Sequence, residues 1–215
     1  MVAEPVSAAG VTPPIATIQR LAERGLANLA PLAFDVAETP ADRDAVLRMR
    51  YETVVDEGWA TPEEHPDGRE RDSYDEEAVF IVCRDAGAIV GSMRLVPPSP
   101  SRPLPIEREF GIRARPAGRV AEVGRLIVQP AARAGRSHLV LAGLCARAWL
   151  EMSTADWDHA ISTAAPEVIE LYRAVGMGIT VLGPAQLHWG IQRAPIQILP
   201  GEASFAFLTS GPSPA

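Results

Sequence analysis

The sequence predicts one α/β (α+β) domain, in which helices flank a central, mostly antiparallel mixed sheet. Two adjacent apolar runs, 78–85 and 87–96, are joined by Asp85-Ala86-Gly87, which is a typical hairpin turn. Helical patterns are interspersed with further strand patterns, without the regular strand–helix repeat of a doubly wound parallel sheet. With 215 residues, of which 47% are hydrophobic, the chain can fill one large core.

The spacing of apolar residues predicts the individual elements, and turn residues predict where they end. The second helix begins at Thr39-Pro40, ends before Gly58 and turns four residues inward: Ala45, Leu47, Met49 and Val54. The predicted order is a helix over 15–29 interrupted at Gly25, a strand over 33–37, the helix to residue 56, a loop over 59–77, the hairpin, a proline-rich crossover over 97–118, a central strand over 120–128, a helix over 137–152, a strand over 157–164, a helix over 166–176, and closing strands over 179–183 and 186–192.

The two ends of the chain are expected to lie outside the domain. We predict a flexible arm over 1–14, one domain over 15–208 and a disordered tail over 209–215. The acidic loop over 59–77 contains Trp59 and Tyr74, aromatic residues that a disordered linker would not need.

Composition excludes several classes of protein. A net charge of −7 and a pI near 5.2 argue against nucleic-acid binding. No apolar run approaches the ~20 residues of a membrane span, and the first residues lack the pattern of a signal peptide, so we expect a cytoplasmic protein. Cys83 and Cys145 are expected to be buried thiols. The histidines lack metal-ligand spacing, so no metal site is predicted.

Charge is unevenly distributed along the chain. Residues 34–77 hold 15 acidic residues against five arginines, whereas residues 102–147 hold nine arginines against three acids. A locally basic surface on an acidic protein suits an anionic ligand, such as a phosphate, a nucleotide or an acidic carrier protein. The alternative is an ordinary solvated surface.

The predicted central strand carries charge among apolar residues. Glu122 and Arg125 would face opposite ways in a regular strand, but a bulge at Gly124 would turn both to one face. Burying an unpaired ionised group costs several kcal/mol. The two residues are therefore either part of a structural ion network or part of a site.

The end of this strand and the helix that follows it can hold an anion. After Gln129-Pro130 the chain turns, so that backbone amides and a helix N-terminus offer a seat for a phosphate, with Arg133 and Arg136 adding charge. The stretch from Val128 to Pro130 with Arg133 and Gly135, and the later LYRAVG helix, resemble the acyl-CoA loop and a helix of the GNAT superfamily of N-acyltransferases. The resemblance implies that the donor is bound by Leu126, Ile127, Val128, Arg133, Gly135, Arg136 and Ser137.

A second resemblance covers residues 44–128 and concerns one branch of GNAT-fold enzymes. The sequence resembles the acyl-homoserine-lactone (autoinducer) synthases and the N-acyl amino acid synthases, although Val54 and Gly124 replace their usual Phe and Ser. The residues that carry the resemblance are Arg50, Trp59, Glu70-x-Asp72-x-x-Asp75, Gly91-Ser92-x-Arg94-Leu95 and Glu122-x-x-Arg125. It implies transfer of a fatty acyl group from acyl carrier protein or CoA to a small-molecule amine, with the acceptor bound by Arg50, Trp59, Asp72, Asp75 and Arg94.

Charge counting gives this cluster a physical meaning of its own. Three arginines, Arg50, Arg94 and Arg125, could balance three acids, predicted to be Asp72, Asp75 and Glu122. Six such side chains could be partly buried together without net charge. The cluster could equally be a scaffold that holds the acidic loop against the sheet.

The chemistry of amide formation assigns roles to the remaining candidates. Glu122, through a water, is the candidate base for the acceptor amine. Arg125 is predicted to be a catalytic residue together with Glu122. A backbone amide near Leu126 or Ile127 could polarise the thioester carbonyl. By resemblance, Tyr172 faces the thiolate sulfur. Two alternatives remain open: an acetyl-CoA-dependent acetyltransferase, and a catalytically silent sensor of acyl thioesters.

Overall fold

The computed structural model describes residues 15–174 and 177–199. Along the chain the elements are α1 (Ile15–Ala27), β1 (Ala33–Val36), α2 (Pro40–Asp56), a 3₁₀ turn (Pro62–Glu64), β2 (Val79–Asp85), β3 (Ala88–Val96), α3 (Pro105–Phe110), β4 (Val120–Val128), α4 (Pro130–Thr154), β5 (His159–Ala164), α5 (Pro166–Ala174), β6 (Gly178–Val181), β7 (Gln186–His188) and β8 (Ile191–Leu199).

The strands form a mixed sheet in the order β1-β2-β3-β4-β5-β8-β6, and β7 pairs with β8. Every pairing is antiparallel except that of β4 with β5. These two parallel strands pair where Val120–Glu122 run beside His159–Ile161, and then they part. The predicted fold class, a mostly antiparallel sheet flanked by helices, is confirmed.

Helices cover both faces of the sheet, which explains why β2 and β3 are apolar along most of their length. Alternate residues point to opposite faces. On one face Ile81 and Leu95 pack under α1 and α4, and on the other Phe80 and Val96 pack with α2 and α3. Gly143 lets α4 lie close to the sheet, because a Cβ atom there would collide with the ring of Phe34.

The predicted bulge in β4 is present. Arg94 lies opposite Gly124 and Ser92 lies opposite Ile127, so β4 has one residue more than β3 between these two pairs. Arg125 is in the left-handed region, with φ at 51°. Because of this extra residue, Arg125 follows Glu122 onto the face covered by α2 and α3.

Several predicted boundaries are wrong, each for a local reason. Helix α1 continues through Gly25, since packing against α4 outweighs the ~1 kcal/mol cost of a glycine. In α2, Ala45 is exposed and Val46 is buried instead, so the apolar face was misplaced by one position. The closing stretch 186–192 is a hairpin, because Trp189 and Gly190 both have positive φ and reverse the chain.

Helix α4 begins at Pro130, directly after β4, instead of at Ser137 as the sequence predicted. Proline is favoured at the first position of a helix, and it starts this one without an intervening turn. The arm over 1–14 and the tail over 209–215 lie outside the described residues. In the described part of the chain, no helix is long and apolar enough to cross a membrane.

Candidate active site

A buried ion cluster connects α2, the acidic loop and the two central strands. Arg50 on α2 is 1% exposed and forms a bidentate pair with Asp75, with donor–acceptor distances of 2.8 and 3.2 Å. Its Nε also donates to the carboxylate of Glu70. These contacts fix the loop residues 70–75 against the helix.

Two further arginines complete the cluster from the sheet. Arg94 on β3 donates to Asp72 at 2.8 Å and to Asp75 at 2.9 Å. Arg125, at the β4 bulge, donates to Glu70 at 3.1 Å and to Asp72 at 3.3 Å. The backbone amide of Asp72 donates to Asp75, so the loop is also hydrogen-bonded within itself.

The cluster therefore pairs three arginines with Glu70, Asp72 and Asp75, and the predicted pairing of Glu122 is wrong. Glu70 is the third acid of the cluster, because the loop positions its carboxylate to pair with both Arg50 and Arg125. Burial alone would raise the pKa of Asp75, but hydrogen bonds and charge from Arg50 and Arg94 outweigh it and lower that pKa to about 2. The six charges compensate one another inside the fold.

Glu122 remains as a fourth carboxyl group, and within the described part of the chain it forms no ion pair with an arginine. It is 7% exposed and accepts a hydrogen bond from the backbone amide of Ile106 at 2.8 Å. Burial raises its pKa to about 7, against smaller opposing effects from that amide and from Arg94 and Arg125. A carboxyl group with this pKa exchanges a proton near neutral pH, as a general base must.

A cavity of about 1120 Å³ opens where β4 and β5 part, and Glu122 lines it. On the α2/α3 face its wall is polar and includes Glu70, Asp72 and Arg125. The cavity then continues between the strands toward α4, on the other face of the sheet. One space thus joins a charged chamber to an apolar one.

The apolar arm of the cavity lies between the sheet and α4. Met93, Ala148, Trp149 and Met152 line it, and each is at most 4% exposed. Cys145, predicted to be a buried thiol, is half-buried and borders the same arm, and burial raises its pKa to about 12. This arm can accommodate a hydrocarbon chain.

Aromatic side chains border the polar mouth. The rings of Trp59 and Trp189 meet edge to face with centroids 6.1 Å apart. The guanidinium carbon of Arg125 is 4.8 Å from the centroid of Trp189, within range of a cation–π contact. Trp59 is 39% exposed, in keeping with a position at the entrance.

Tyr172 on α5 lines the cavity where β5 ends. Burial raises its pKa to about 12, with a small opposing effect from Arg193. Its hydroxyl group is protonated at neutral pH, as that of any tyrosine is, and can donate a hydrogen bond into the cavity.

The structure separates the predicted site residues into three groups. Those that line the cavity are Trp59, Asp72, Glu122, Arg125, Leu126, Ile127 and Tyr172. Arg50, Asp75 and Arg94 lie beneath them in the ion cluster, where they support the lining residues. Three members of the predicted donor-binding set lie elsewhere: Val128 packs into the core under α4, the exposed Arg136 pairs with Asp85, and Ser137 is half-buried on α4. Arg133 and Gly135 belong to the first two turns of α4.

Sequence reasoning omits Glu70 from the predicted site residues, and it leaves open whether the stretch 188–195, with Arg193, lines the acceptor pocket or merely closes the sheet. Glu70 lies in the acidic motif, but the charge balance predicted from the sequence uses Asp72, Asp75 and Glu122 instead. Trp189 and Arg193 line the cavity from the β7–β8 hairpin, and this hairpin was predicted as a single strand. The Trp189-Gly190 pair was the available signal for a turn. Among the residues described, no group of three His, Cys, Asp or Glu side chains could hold a metal ion.

Asp75→Asn should destabilise the fold by about 3 kcal/mol or more at pH 7, because it removes the carboxylate that Arg50 and Arg94 share. Asp75 contributes this stability above its unfolded pKa, and the contribution is lost as the pH falls through about 2. The difference between wild type and variant in the free energy of unfolding, measured with urea, should therefore become smaller in acid. The control is Asp67→Asn, which breaks the exposed pair with Arg71 and should cost less than about 1 kcal/mol. Equal losses in the two variants would contradict a buried, balanced cluster.

Comparisons with known proteins bear on the fold. Residues 49–143 match the acetyltransferase (GNAT) domain family. No curated protein sequence matches significantly. Among solved structures, the CoA-dependent acyl-homoserine lactone synthase BjaI, with SAM and isopentyl-CoA, is similar with a TM-score of 0.64 and 21% identity, over 85% of this chain and 90% of that one.

Two further structures extend the comparison. The acyl-homoserine lactone synthase LasI has a TM-score of 0.65 and 16% identity, over 86% of this chain and 98% of its own. FeeM, an N-acyl amino acid synthase from uncultured soil microbes, has a TM-score of 0.58 and 16% identity, over 83% and 96%. At these identities the structures show a shared fold. The fold that the sequence resemblance implied is confirmed: residues 49–143 match the acetyltransferase (GNAT) domain family, and the described chain has the GNAT fold.

Proposed function

We propose that this protein transfers a fatty acyl group from a phosphopantetheine thioester, carried by CoA or by acyl carrier protein, to the amine of an amino acid or a related small molecule. The observation that carries the proposal is the two-chambered cavity. It places a carboxyl group with a pKa of about 7 beside a buried apolar arm. An acetyl group would need no such arm.

The gap between β4 and β5 is suited to the donor. Beyond Glu122, β4 no longer pairs with β5, and at the bulge Arg125 and Leu126 have no register partner on β3. Backbone groups of β4 are thus available to an extended pantetheine arm, as they would be to a neighbouring strand. An amide near Leu126 or Ile127 would polarise the thioester carbonyl.

The acyl chain would extend from that carbonyl toward α4. Burial of a chain of CH₂ groups among Met93, Trp149 and Met152 would contribute roughly 0.8 kcal/mol per group. The chain would thereby hold the thioester in place relative to Glu122. This binding energy supports a long-chain donor over an acetyl donor.

The acceptor amine must be neutral to attack, and an α-amine has a pKa of about 8. Glu122, with a pKa of about 7, is ionised in part at neutral pH and can take that proton, directly or through a water. As the nitrogen–carbon bond forms and the carbon–sulfur bond breaks, the leaving thiolate needs a proton or a hydrogen bond. Tyr172, which lines the cavity and is protonated at neutral pH, can supply the hydrogen bond.

Incubation of the purified protein with palmitoyl-CoA or palmitoyl acyl carrier protein tests the proposal. The acceptor is a pool of the twenty amino acids and S-adenosylmethionine, and N-acyl products are sought by mass spectrometry. An amide with a long acyl chain is expected. Bound but unconsumed thioester would support the sensor alternative, and products from acetyl-CoA alone would support an acetyltransferase.

Glu122→Gln should lower turnover by about 10²–10⁴-fold, because Gln keeps the hydrogen bond from Ile106 but cannot accept the proton. In wild type, turnover should rise with pH through about 7, the pKa of Glu122, and the variant should lack this limb. Steady-state rates from pH 5.5 to 9 measure both effects. Glu63→Gln, which changes an exposed acid of the loop, is the control. Unchanged turnover in Glu122→Gln would remove Glu122 from the mechanism.

Ala148→Leu should change donor preference, because the larger side chain fills the apolar arm at a position that is 3% exposed. We expect the rate with palmitoyl donors to fall by about tenfold or more and the rate with butyryl-CoA to change by less than about twofold. Ala155→Leu adds the same group at an exposed position at the end of α4. If long and short donors were affected equally, the arm would not be the acyl site.

A further inference from the structure

Arg193 on β8 lines the cavity, yet its charge has no carboxylate partner among the residues that the structure describes. The side chain is half-buried, and its buried Nε has no hydrogen-bond acceptor. Within residues 15–174 and 177–199, no ion pair or hydrogen bond involves its guanidinium group. Partial burial lowers the pKa of Arg193, opposed by a smaller effect of Tyr172, so desolvation of this cation is not offset by an acid.

The other arginines of the cavity wall differ from Arg193. Arg125 is held by Glu70 and Asp72, so its donors are already engaged. Arg108 is exposed and its charge is screened by water. Arg193 combines partial burial with free donors, and such a guanidinium is suited to bind a carboxylate with two parallel hydrogen bonds.

The sheet register places Arg193 on the same face as the candidate base. Glu122 lies beside Ile161 of β5, and Pro195 lies opposite Thr163 of the same strand. Residues two apart on a strand share a face, so Ile161 and Thr163 point the same way, and Arg193 points with Pro195. Glu122 and Arg193 therefore both project toward the α2/α3 face from the two strands that flank β5.

The two residues are separated by a gap that a small molecule can span. Strands β4 and β8 are two strand spacings apart, roughly 10 Å, and the two residues are offset by about four positions, roughly 13 Å, along the strands. Both side chains reach into the same cavity from these positions. A molecule whose carboxylate is held by Arg193 would thus present its amine toward Glu122.

We infer that Arg193 binds the carboxylate of the acceptor and thereby selects amines that also carry an acid group. This inference rests on the proposed acyl transfer to an amine and assigns its acceptor end. A free amino acid and S-adenosylmethionine share the required chemistry, an amine beside a carboxylate, and separate assays with each distinguish them. Arg193 would act by binding and orientation, so its loss should weaken acceptor binding more than it slows the chemical step.

The test compares wild type with Arg193→Met, using the best acceptor found by mass spectrometry and its α-carboxamide. In wild type, the KM of the acid should be about 10- to 100-fold lower than the KM of the amide, which is the range expected for a hydrogen-bonded charge pair. Arg193→Met should raise KM for the acid by that factor, leave KM for the amide and for palmitoyl-CoA unchanged, and so abolish the preference. Arg193→Lys should restore part of it. Arg113→Met, which removes an exposed arginine outside the cavity, is the control.

A readout without turnover separates this inference from the proposed function. The twenty amino acids, S-adenosylmethionine and their amides are screened by the shift they cause in the melting temperature of each variant. If acids stabilise wild type but not Arg193→Met while no product forms, acyl transfer fails and the carboxylate site stands. If product forms but Arg193→Met affects acid and amide equally, or raises KM for the donor, the inference is overturned. The absence of both product and carboxylate-dependent stabilisation would overturn it as well.

Discussion

The structure of the site depends on the buried pairing of Arg50, Arg94 and Arg125 with Glu70, Asp72 and Asp75. These charges come from a helix, two strands and a loop, and none of these elements contains a balanced set by itself. Any one of the six left unpaired in the interior would cost several kcal/mol. The loop is therefore fixed where it can form the charged wall of the cavity, and Trp59 is positioned at the entrance.

The same balance explains why Glu122 differs from its neighbours. With the three arginines already paired, the burial of Glu122 is only partly offset by their charge, so desolvation favours the protonated form until the pH reaches about 7. This arrangement reduces stability at high pH, where Glu122 must ionise. At pH values between the unfolded-state pKa of Glu122 and about 7, the folded state keeps a proton that the unfolded state loses. Above that range the free energy of unfolding is therefore lower by about 3 kcal/mol. Such a cost is typical of groups kept for chemistry.

Much of this architecture could be predicted from the sequence, because it depends on local signals. The hairpin at Asp85-Ala86-Gly87, the helix starting at Pro40 and the bulge beside Gly124 follow from turn and strand chemistry. The coarse site could be predicted as well, since Glu122 and Arg125 are charges within an apolar strand. The presence of Glu70 in the ion cluster, in place of the predicted Glu122, could not be predicted, because it depends on how the loop lies over β4. The position of Arg193 in the cavity wall depends on which strand lies beside β5, which chain order does not reveal.

The most direct test of a balanced cluster that leaves Glu122 as a free base is a carboxyl ¹³C NMR titration of the folded protein. The resonance of Glu122 can be assigned by its loss in Glu122→Gln. It should titrate with a midpoint of about 7, whereas Asp75 should remain ionised down to a pH of about 2. A midpoint for Glu122 near its ordinary value of about 4.5 would contradict this interpretation, because the residue would then be one more solvated or paired carboxylate and not the base of the site.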